Sequence, residues 1–195
     1  MDDLVLKAMQ RWPDVPAVHG WLSLDARGRW KLHPTGGAAN TPAEPGESIS
    51  NPSLLAFINR NYAADEQGRW FFQNGPQRVY AQLEAAPYVI RLAEDGIGLQ
   101  THTGLPVDAV HEWLPDDEGH MYVRTALGPG RIEDRDLPAL LPRLETDAGN
   151  LLDALEQGAT HGWVDHPQLP RAPWRQIPTQ EVSGHLGFLL GPTQV

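Results

Sequence analysis

One short pattern occurs twice in this chain, and it limits what the chain can fold into. Residues 17–22 (AVHGWL) recur as residues 109–114 (AVHEWL), and each copy runs into a turn-forming segment, Asp25–Gly28 or Asp116–Gly119. Apolar and polar residues alternate around both turns, which predicts two β-hairpins. A hairpin with one apolar face is not stable alone, so the two copies are expected to be covered by other parts of the chain.

A helix-start pattern follows each hairpin, so the repeated unit is a β-hairpin plus a helix. Asn51 and Pro52 suit the capping position and the first turn of a helix predicted over residues 51–62. In the second copy, Asp134 opens a helix predicted over residues 134–144. The sequence therefore predicts an α+β fold that is antiparallel and β-rich, with an internal duplication.

Hydrophobic periodicity and turn residues predict the remaining elements. The predicted helices are at 4–12 and 148–157, and the predicted strands at 69–73, 78–84, 88–92 and 97–103. Residues 34–47 are predicted to be a flexible surface loop, Gly128–Gly130 a turn, and the Pro-rich stretch after Gly158 an extended wrap that contains no central strand. We divide the chain into residues 1–104, with the four strands as one antiparallel segment, and residues 105–195.

Charge and composition exclude some classes of partner. The net charge of −10 opposes binding to nucleic-acid polymers, which requires clustered cations. The chain has no cysteine and no apolar run of about 20 residues, and its first residues, Met1-Asp2-Asp3, are acidic where a signal peptide is basic. We expect a cytoplasmic protein with no membrane partner, and the oligomeric state stays open.

Motifs for catalysis and metal binding are absent from the sequence. The eight histidines form no HExxH or His-x-His pattern, and His19, His111 and His161 recur with the repeat, which argues against a catalytic role for any one of them. No Gly-x-Ser-x-Gly, P-loop or dinucleotide fingerprint is present. We therefore predict no catalytic residue, no metal ligand and no cofactor.

The segment from Leu54 to Leu92 differs from the rest of the chain in charge. It contains four arginines and three acidic residues, a balance of +1 in a chain of −10; the arginines are Arg60, Arg69, Arg78 and Arg91. Planar guanidinium groups could receive a small anionic ligand there. The alternative is that each arginine pairs with a neighbouring acid on a solvated face.

Several short motifs carry a resemblance to a known family: Gly68-Arg69-Trp70, Glu84, Ala86-Pro87-Tyr88, Thr101 and Gly104, preceded by the helix start at 49–58. Through them, residues 25–104 resemble a family of proteobacterial proteins of unknown function with a duplicated domain, one half of which is similar to pleckstrin-homology folds. The resemblance implies non-catalytic binding of a nucleotide-like ligand in signalling. Where that family tends to have an acidic residue followed by Lys, this chain has Gln77-Arg78, which keeps a cation and removes a general base.

We therefore predict non-catalytic binding of a small anionic or nucleotide-like ligand. Arg78 is the principal predicted contact, and the whole predicted site comprises Arg78, Gln77, Asn74, Arg69 and Thr101. Two alternatives remain. A protein–protein interaction module would use exposed Trp residues or a sheet edge, and an enzyme would need His102 or Glu84 beside a second titratable group.

Overall fold

The computed structural model describes residues 1–40 and 43–191. The chain forms two compact units: the first comprises Met1–Ala85 and the C-terminal segment from Gly187, and the second comprises Ala86–Leu186. No helix in the described ranges is long and apolar enough to cross a membrane.

The described residues of the first unit form two α-helices and a six-stranded mixed sheet. Its elements are α1 (Asp3–Arg11), β1 (Val18–Leu24), β2 (Trp30–Leu32), a 3-10 turn (Ala38–Asn40), β3 (Glu47–Ser48), α2 (Pro52–Arg60), β4 (Tyr62–Ala64), β5 (Trp70–Asn74) and β6 (Gln77–Leu83). The strand order is β3-β2-β1-β6-β5-β4. The β1–β6 contact is parallel and the other four contacts are antiparallel.

Local signals account for much of this unit. The Asn51 side chain accepts a hydrogen bond from the Leu54 amide at 3.0 Å, which confirms the predicted cap of α2. The predicted first hairpin forms as β1 and β2, with Leu22 opposite Leu32. Trp30 is buried, and its indole N–H donates to the Asn59 side-chain oxygen at 2.9 Å, so its polar atom is satisfied inside the core.

The second unit contains a seven-stranded mixed sheet and a separate strand pair. Its elements are β7 (Tyr88–Leu92), β8 (Leu99–Thr101), β9 (Val110–Pro115), β10 (Met121–Thr125), β11 (Gly128–Ile132), a 3-10 turn (Asp134–Asp136), α3 (Leu137–Leu140), a 3-10 turn (Leu141–Arg143), β12 (Glu145–Thr146), β13 (Gly149–Asn150), α4 (Leu151–Glu156), β14 (His161–Val164), β15 (Ala172–Arg175) and α5 (Thr179–Leu186). The large sheet has the order β14-β15-β9-β10-β11-β7-β8, and β12 pairs with β13. The predicted second hairpin forms as β9 and β10.

The α+β prediction is confirmed, and both copies of the repeated hairpin form. The four strands predicted between residues 69 and 103 also form, but β5 and β6 belong to the six-stranded sheet and β7 and β8 to the seven-stranded sheet. They do not make one four-stranded segment. The predicted helix over 148–157 is present as α4, and Gly158, which has a φ of 82°, follows its end.

The turn predicted at Gly128–Gly130 is wrong, because these residues begin β11. This strand pairs antiparallel with β10 and parallel with β7. A Cβ on Gly130 would lie 2.5 Å from the Ile90 Cδ1 atom, so the absence of a side chain allows β7 to pack closely. Gly130 therefore allows β11 to pack closely against β7 and does not mark a turn.

The helix predicted over 134–144 is broken into three short pieces. Pro138 and Pro142 stand near the starts of α3 and of the following 3-10 turn, and neither has an N–H to continue a helical hydrogen-bond ladder. Asp134 also does not cap a helix. Its carboxylate accepts two hydrogen bonds from the Arg131 guanidinium at 2.6 and 2.7 Å, while Glu133 occupies the capping position.

The Pro-rich segment is not simply an extended wrap. Strand β15, which contains Pro173, lies inside the seven-stranded sheet between β14 and β9. Its contact with β9 is one registered pair, Trp174 with Trp113, so the missing N–H of Pro173 costs the sheet little. Helix α5 then follows.

In the predicted loop over 34–47, residues Gly37 and Ala38 are buried, which contradicts a surface position for them. Residues 41 and 42 lie outside the described residues.

The pH dependence of stability follows from three histidines. Burial lowers the pKa of His19, His33 and His166 below 6.5, with nearby Arg69 acting in the same direction on His19. Below pH 6.5 the unfolded chain therefore binds more protons at these sites than the folded chain does. We expect full stability from these groups above pH 6.5 and a loss as the pH falls through the interval below it.

Melting temperatures measured between pH 8 and pH 5 check this expectation. The wild type should melt at lower temperature at pH 5 than at pH 7. His166→Gln removes one titrating ring and retains an acceptor for the Gln168 amide, which His166 Nδ1 binds at 3.1 Å. Its melting temperature should fall less over the same range, and an equal fall in both proteins would contradict the role of His166.

Candidate functional site

The candidate site lies on one face of the β5–β6 hairpin in the first unit. The strand register places Gln73 beside Arg78 and Phe71 beside Tyr80. Because side chains alternate between the two faces of a sheet, these four lie on the same face. The Arg78 guanidinium carbon lies 4.5 Å from the centroid of the Phe71 ring, so an aromatic ring supports its planar group.

Arg78 differs from the other arginines of its segment in its ion pairing. Arg60 pairs with Asp2 at 3.2 Å, Arg69 with Asp65 at 2.7 Å and Arg91 with Glu133 at 2.9 Å. Arg78 forms no salt bridge with any residue of 1–40 or 43–191. Neighbouring acids therefore account for three of the four arginines, as the alternative interpretation predicts, and the fourth has a cationic group open to another anion.

Arg78 lines a cavity of about 380 Å³, which we call the N-terminal pocket. Its walls come from the end of α1, the segment that leads to β1, and the β5–β6 hairpin; they include Met9, Trp12, Val15, Gln73, Arg78 and Tyr80. Arg78 is the only charged side chain among the lining residues that the structure describes. The pocket thus combines mainly apolar walls with one cation.

Gln73 places an unsatisfied polar atom at the same pocket. The residue is 1% exposed, and its side-chain Nε2 group donates to the Gly75 carbonyl at 2.9 Å. The Oε1 atom accepts no hydrogen bond from the described residues. A buried carbonyl oxygen without a donor is uncommon and costs free energy, so this atom is suited to accept a hydrogen bond from a ligand.

Aromatic side chains complete the pocket. Trp12 is 50% exposed, and the Arg11 guanidinium lies 4.8 Å from the centroid of its ring. Tyr80 contacts the His19 ring at 4.7 Å in a stacked arrangement and the Arg69 guanidinium at 4.8 Å, and its hydroxyl donates to Asp65 at 3.0 Å. Tyr80 is therefore held in place, while Trp12 retains exposed ring surface for contact with a ligand.

The other predicted site residues lie in three places. Arg69 and Arg78 both line a polar depression beside Asp65. Asn74 and Gln77 are register partners at the β5–β6 turn and line a separate cavity on the opposite face of the sheet. Thr101 belongs to the second unit, where its hydroxyl interacts with Thr103 and Leu105. Arg78 is thus the one predicted contact that lines the N-terminal pocket.

Sequence reasoning missed three residues of this pocket: Trp12, Gln73 and Tyr80. A signal for two of them was present, since the alternation of β5 and β6 around the Asn74-Gly75 turn places Gln73 and Tyr80 on the face of Arg78. Trp12 follows α1 and reaches the pocket only through tertiary packing. No local pattern predicts that position.

Other chemically suggestive groups are held in structural contacts. Ser23 Oγ lies 2.8 Å from His33 Nε2, so the two buried side chains satisfy each other, and neither of them lines the N-terminal pocket. Glu84 accepts a hydrogen bond from the Ala26 amide, and His102 Nδ1 accepts one from the Val89 amide. Within the described ranges, no group of three or more histidine or acidic side chains is placed to hold a metal ion.

Comparison with known proteins gives a family and a fold. No curated protein matches the chain. A solved DUF1285 family protein from Silicibacter pomeroyi DSS-3 is 14% identical, with a TM-score of 0.53 over 94% of this chain and 99% of that one, and therefore has the same fold. A second DUF1285 family protein, from Shewanella baltica OS155, is 16% identical, with a TM-score of 0.41 over 60% of this chain and 86% of the other.

The family comparison covers nearly the whole chain. The model of the DUF2944 family, described as "Protein of unknown function (DUF2946)", matches residues 1–193. This match confirms the expectation of a family without an assigned function. The chain belongs to the DUF2944 family of proteins of unknown function.

Proposed function

We propose that this protein binds a small anionic, nucleotide-like ligand in the N-terminal pocket and does not transform it. The observation that carries the proposal is that one pocket contains both a cation without a salt bridge and a buried acceptor without a donor. Arg78 has no salt-bridge partner among the described residues, and the neighbouring Gln73 Oε1 atom has no donor there. A ligand with an anionic group and an N–H or O–H donor would satisfy both.

The chemistry of the pocket fits a nucleotide in three respects. A guanidinium group supported by an aromatic ring binds phosphate oxygens through paired N–H donors. The Gln73 oxygen can accept an N–H from a nucleobase edge, and the exposed Trp12 ring can contact a planar base. The cavity volume of about 380 Å³ lies within the range of small-molecule sites.

The lining residues favour binding over catalysis. General acid–base catalysis at neutral pH needs a group with a pKa near 7 within hydrogen-bond reach of the reacting atoms. Among the described lining residues, Arg78 and Tyr80 are the only titratable ones, and the Tyr80 hydroxyl is hydrogen-bonded to Asp65. A binding role in signalling, which the family resemblance implies, is consistent with such a site.

Thermal melting with a ligand panel tests this proposal. The panel contains nucleoside mono- and diphosphates, the corresponding nucleosides and inorganic phosphate. At 100 times its dissociation constant, a bound nucleotide should stabilise the protein by about 2.7 kcal/mol, which raises the melting temperature by several degrees. Arg78→Gln should abolish this rise, because the phosphate loses its countercharge, and Gln73→Leu should reduce it.

Arg60→Gln is the matched control, since Arg60 lies in the same segment but forms an exposed pair with Asp2. It should respond to nucleotides as the wild type does. The absence of any rise in the wild type would overturn the proposal. An equal rise in Arg78→Gln and the wild type would place the ligand elsewhere and overturn it as well.

A further inference from the structure

A second cavity, which we call the apolar pocket, lies on the opposite face of the six-stranded sheet, where α2 packs. Its volume is about 350 Å³. Leu22, Ile58 and Phe72 contribute to its walls and are buried. This pocket is separate from the N-terminal pocket, because successive residues of β5 and β6 point to opposite faces.

The rim of the apolar pocket exposes large hydrophobic side chains. Trp21, Leu32 and Leu54 are each between 41% and 46% exposed, and all three line the pocket. Single exposed hydrophobic residues are ordinary on protein surfaces, whereas several around one concavity indicate a binding site. A ligand with an aliphatic body would remove this surface from water.

Two carboxamides provide the polar part of the apolar pocket. Asn74 and Gln77 face each other across the β5–β6 turn, and both line the cavity. The side-chain carboxamide of Asn74 makes no hydrogen bond to the part of the chain that the structure describes. The Gln77 side chain donates one hydrogen bond, from Nε2 to the Pro16 carbonyl at 3.2 Å. Donor and acceptor atoms therefore remain for a ligand.

The described lining of the apolar pocket contains no charged side chain. An ionised head group that entered it would lose water without gaining a countercharge, which is unfavourable. A neutral head group, such as a primary amide or an alcohol, could instead exchange hydrogen bonds with the two carboxamides. The lining thus discriminates between ligands of equal length by their charge.

We propose that the apolar pocket binds a neutral amphiphile, a molecule with an aliphatic chain and an uncharged hydrogen-bonding head. A small ligand fits this surface better than a second protein does. A stable protein interface uses roughly 20–30 residues from each partner, whereas the exposed apolar residues here surround one concave cavity. The aliphatic chain contacts the buried walls, and the head group lies at Asn74 and Gln77.

Isothermal titration with octanamide, 1-octanol and octanoate tests the proposal on the full chain. Octanamide and 1-octanol should bind, and octanoate, which has the same chain length, should bind at least tenfold more weakly. Leu54→Gln should weaken octanamide binding severalfold, because a polar group enters the rim. Leu152→Gln is the matched control: Leu152 is also 42% exposed but lies in α4 of the second unit, so binding should be unchanged.

Three results of the binding experiment would overturn this inference: no binding of octanamide, equal affinities for octanamide and octanoate, or equal binding by Leu54→Gln and the wild type. Sedimentation that shows a dimer in the wild type and a monomer in Leu54→Gln would assign the surface to a second copy and also overturn it. Arg78→Gln should bind octanamide normally, so failure here is distinguishable from failure of the nucleotide proposal.

Discussion

Replacing Gly68 with alanine is expected to destabilise the first unit by roughly 3 kcal/mol. Gly68 has a φ of +75°, a conformation that costs an L-residue with a side chain about 1–2 kcal/mol. The new Cβ would also lie 2.5 Å from the Gly187 carbonyl oxygen and 3.2 Å from the Phe188 Cα atom. Overpacking of this kind typically adds about 1–3 kcal/mol.

The contact at Gly68 cannot relax easily, because the opposing atoms are backbone. The C-terminal segment is fixed to the first unit immediately after the clash: the Leu189 amide donates to the Gly68 carbonyl at 3.0 Å, and the Leu83 amide donates to the Leu190 carbonyl at 2.7 Å. Phe188, which precedes these two residues, is buried. Gly68→Ala should therefore also expose this segment to proteases.

Gly75→Ala is the control for backbone strain alone. Gly75 has a φ of +58°, and a Cβ there would meet no atom within 4 Å. Its cost in urea-induced unfolding should be about 1–2 kcal/mol, that of the left-handed conformation. Equal losses in both variants would contradict the added steric cost of a Cβ against Gly187 and Phe188.

The parts of the fold that the sequence predicted correctly depend on neighbouring residues. Both hairpins follow from alternation around an Asp-to-Gly turn, and α2 follows from the Asn51 cap. These features form through hydrogen bonds within a few residues, so the sequence pattern reports them directly.

The features that the sequence did not predict depend on distant partners. Strand β11 is stabilised between β10 and β7, and β15 lies between β14 and β9; in each case the proline or glycine residues look like turn signals until the neighbouring strands are known. The return of residues 187–191 to the first unit has no local signal at all. Local charge balance identified the segment that contains Arg78, and the family resemblance identified Arg78 within it, whereas the unsatisfied Gln73 oxygen requires the packed structure.

Replacing Asp116 with alanine should destabilise the protein by roughly 3 kcal/mol, because its carboxylate organises the turn of the second hairpin. Oδ1 accepts hydrogen bonds from the amides of Glu118 and His120 at 3.0 and 2.7 Å, and Oδ2 accepts one from the Thr179 hydroxyl at 2.9 Å. The side chain is 0% exposed. Hydrogen bonds to a charged group contribute about 1.5–3 kcal/mol, and the alanine variant leaves several donors unpaired.

The same turn occurs in the first unit. The loss of stability expected for Asp116→Ala therefore reflects an interaction that the repeated turns share. Asp25 and Asp65 each accept hydrogen bonds from the amides two and four residues later and from the arginine side chain four residues later. The sequence identified Asp25 and Asp116 as turn residues, and the structure adds that the carboxylate of each, like that of Asp65, accepts hydrogen bonds from the amides of its turn.

Two further variants separate the turn from the contact with α5. Asp116→Asn retains the Oδ1 acceptor, so in urea-induced unfolding it should lose clearly less stability than Asp116→Ala. Asp117→Ala removes the neighbouring exposed carboxylate, which accepts hydrogen bonds from the amide and hydroxyl of Thr179 but none from the turn amides. It should lose much less than Asp116→Ala. Equal losses at Asp116 and Asp117 would show that both act through Thr179, and the carboxylate would then not be the group that stabilises the hairpin turn.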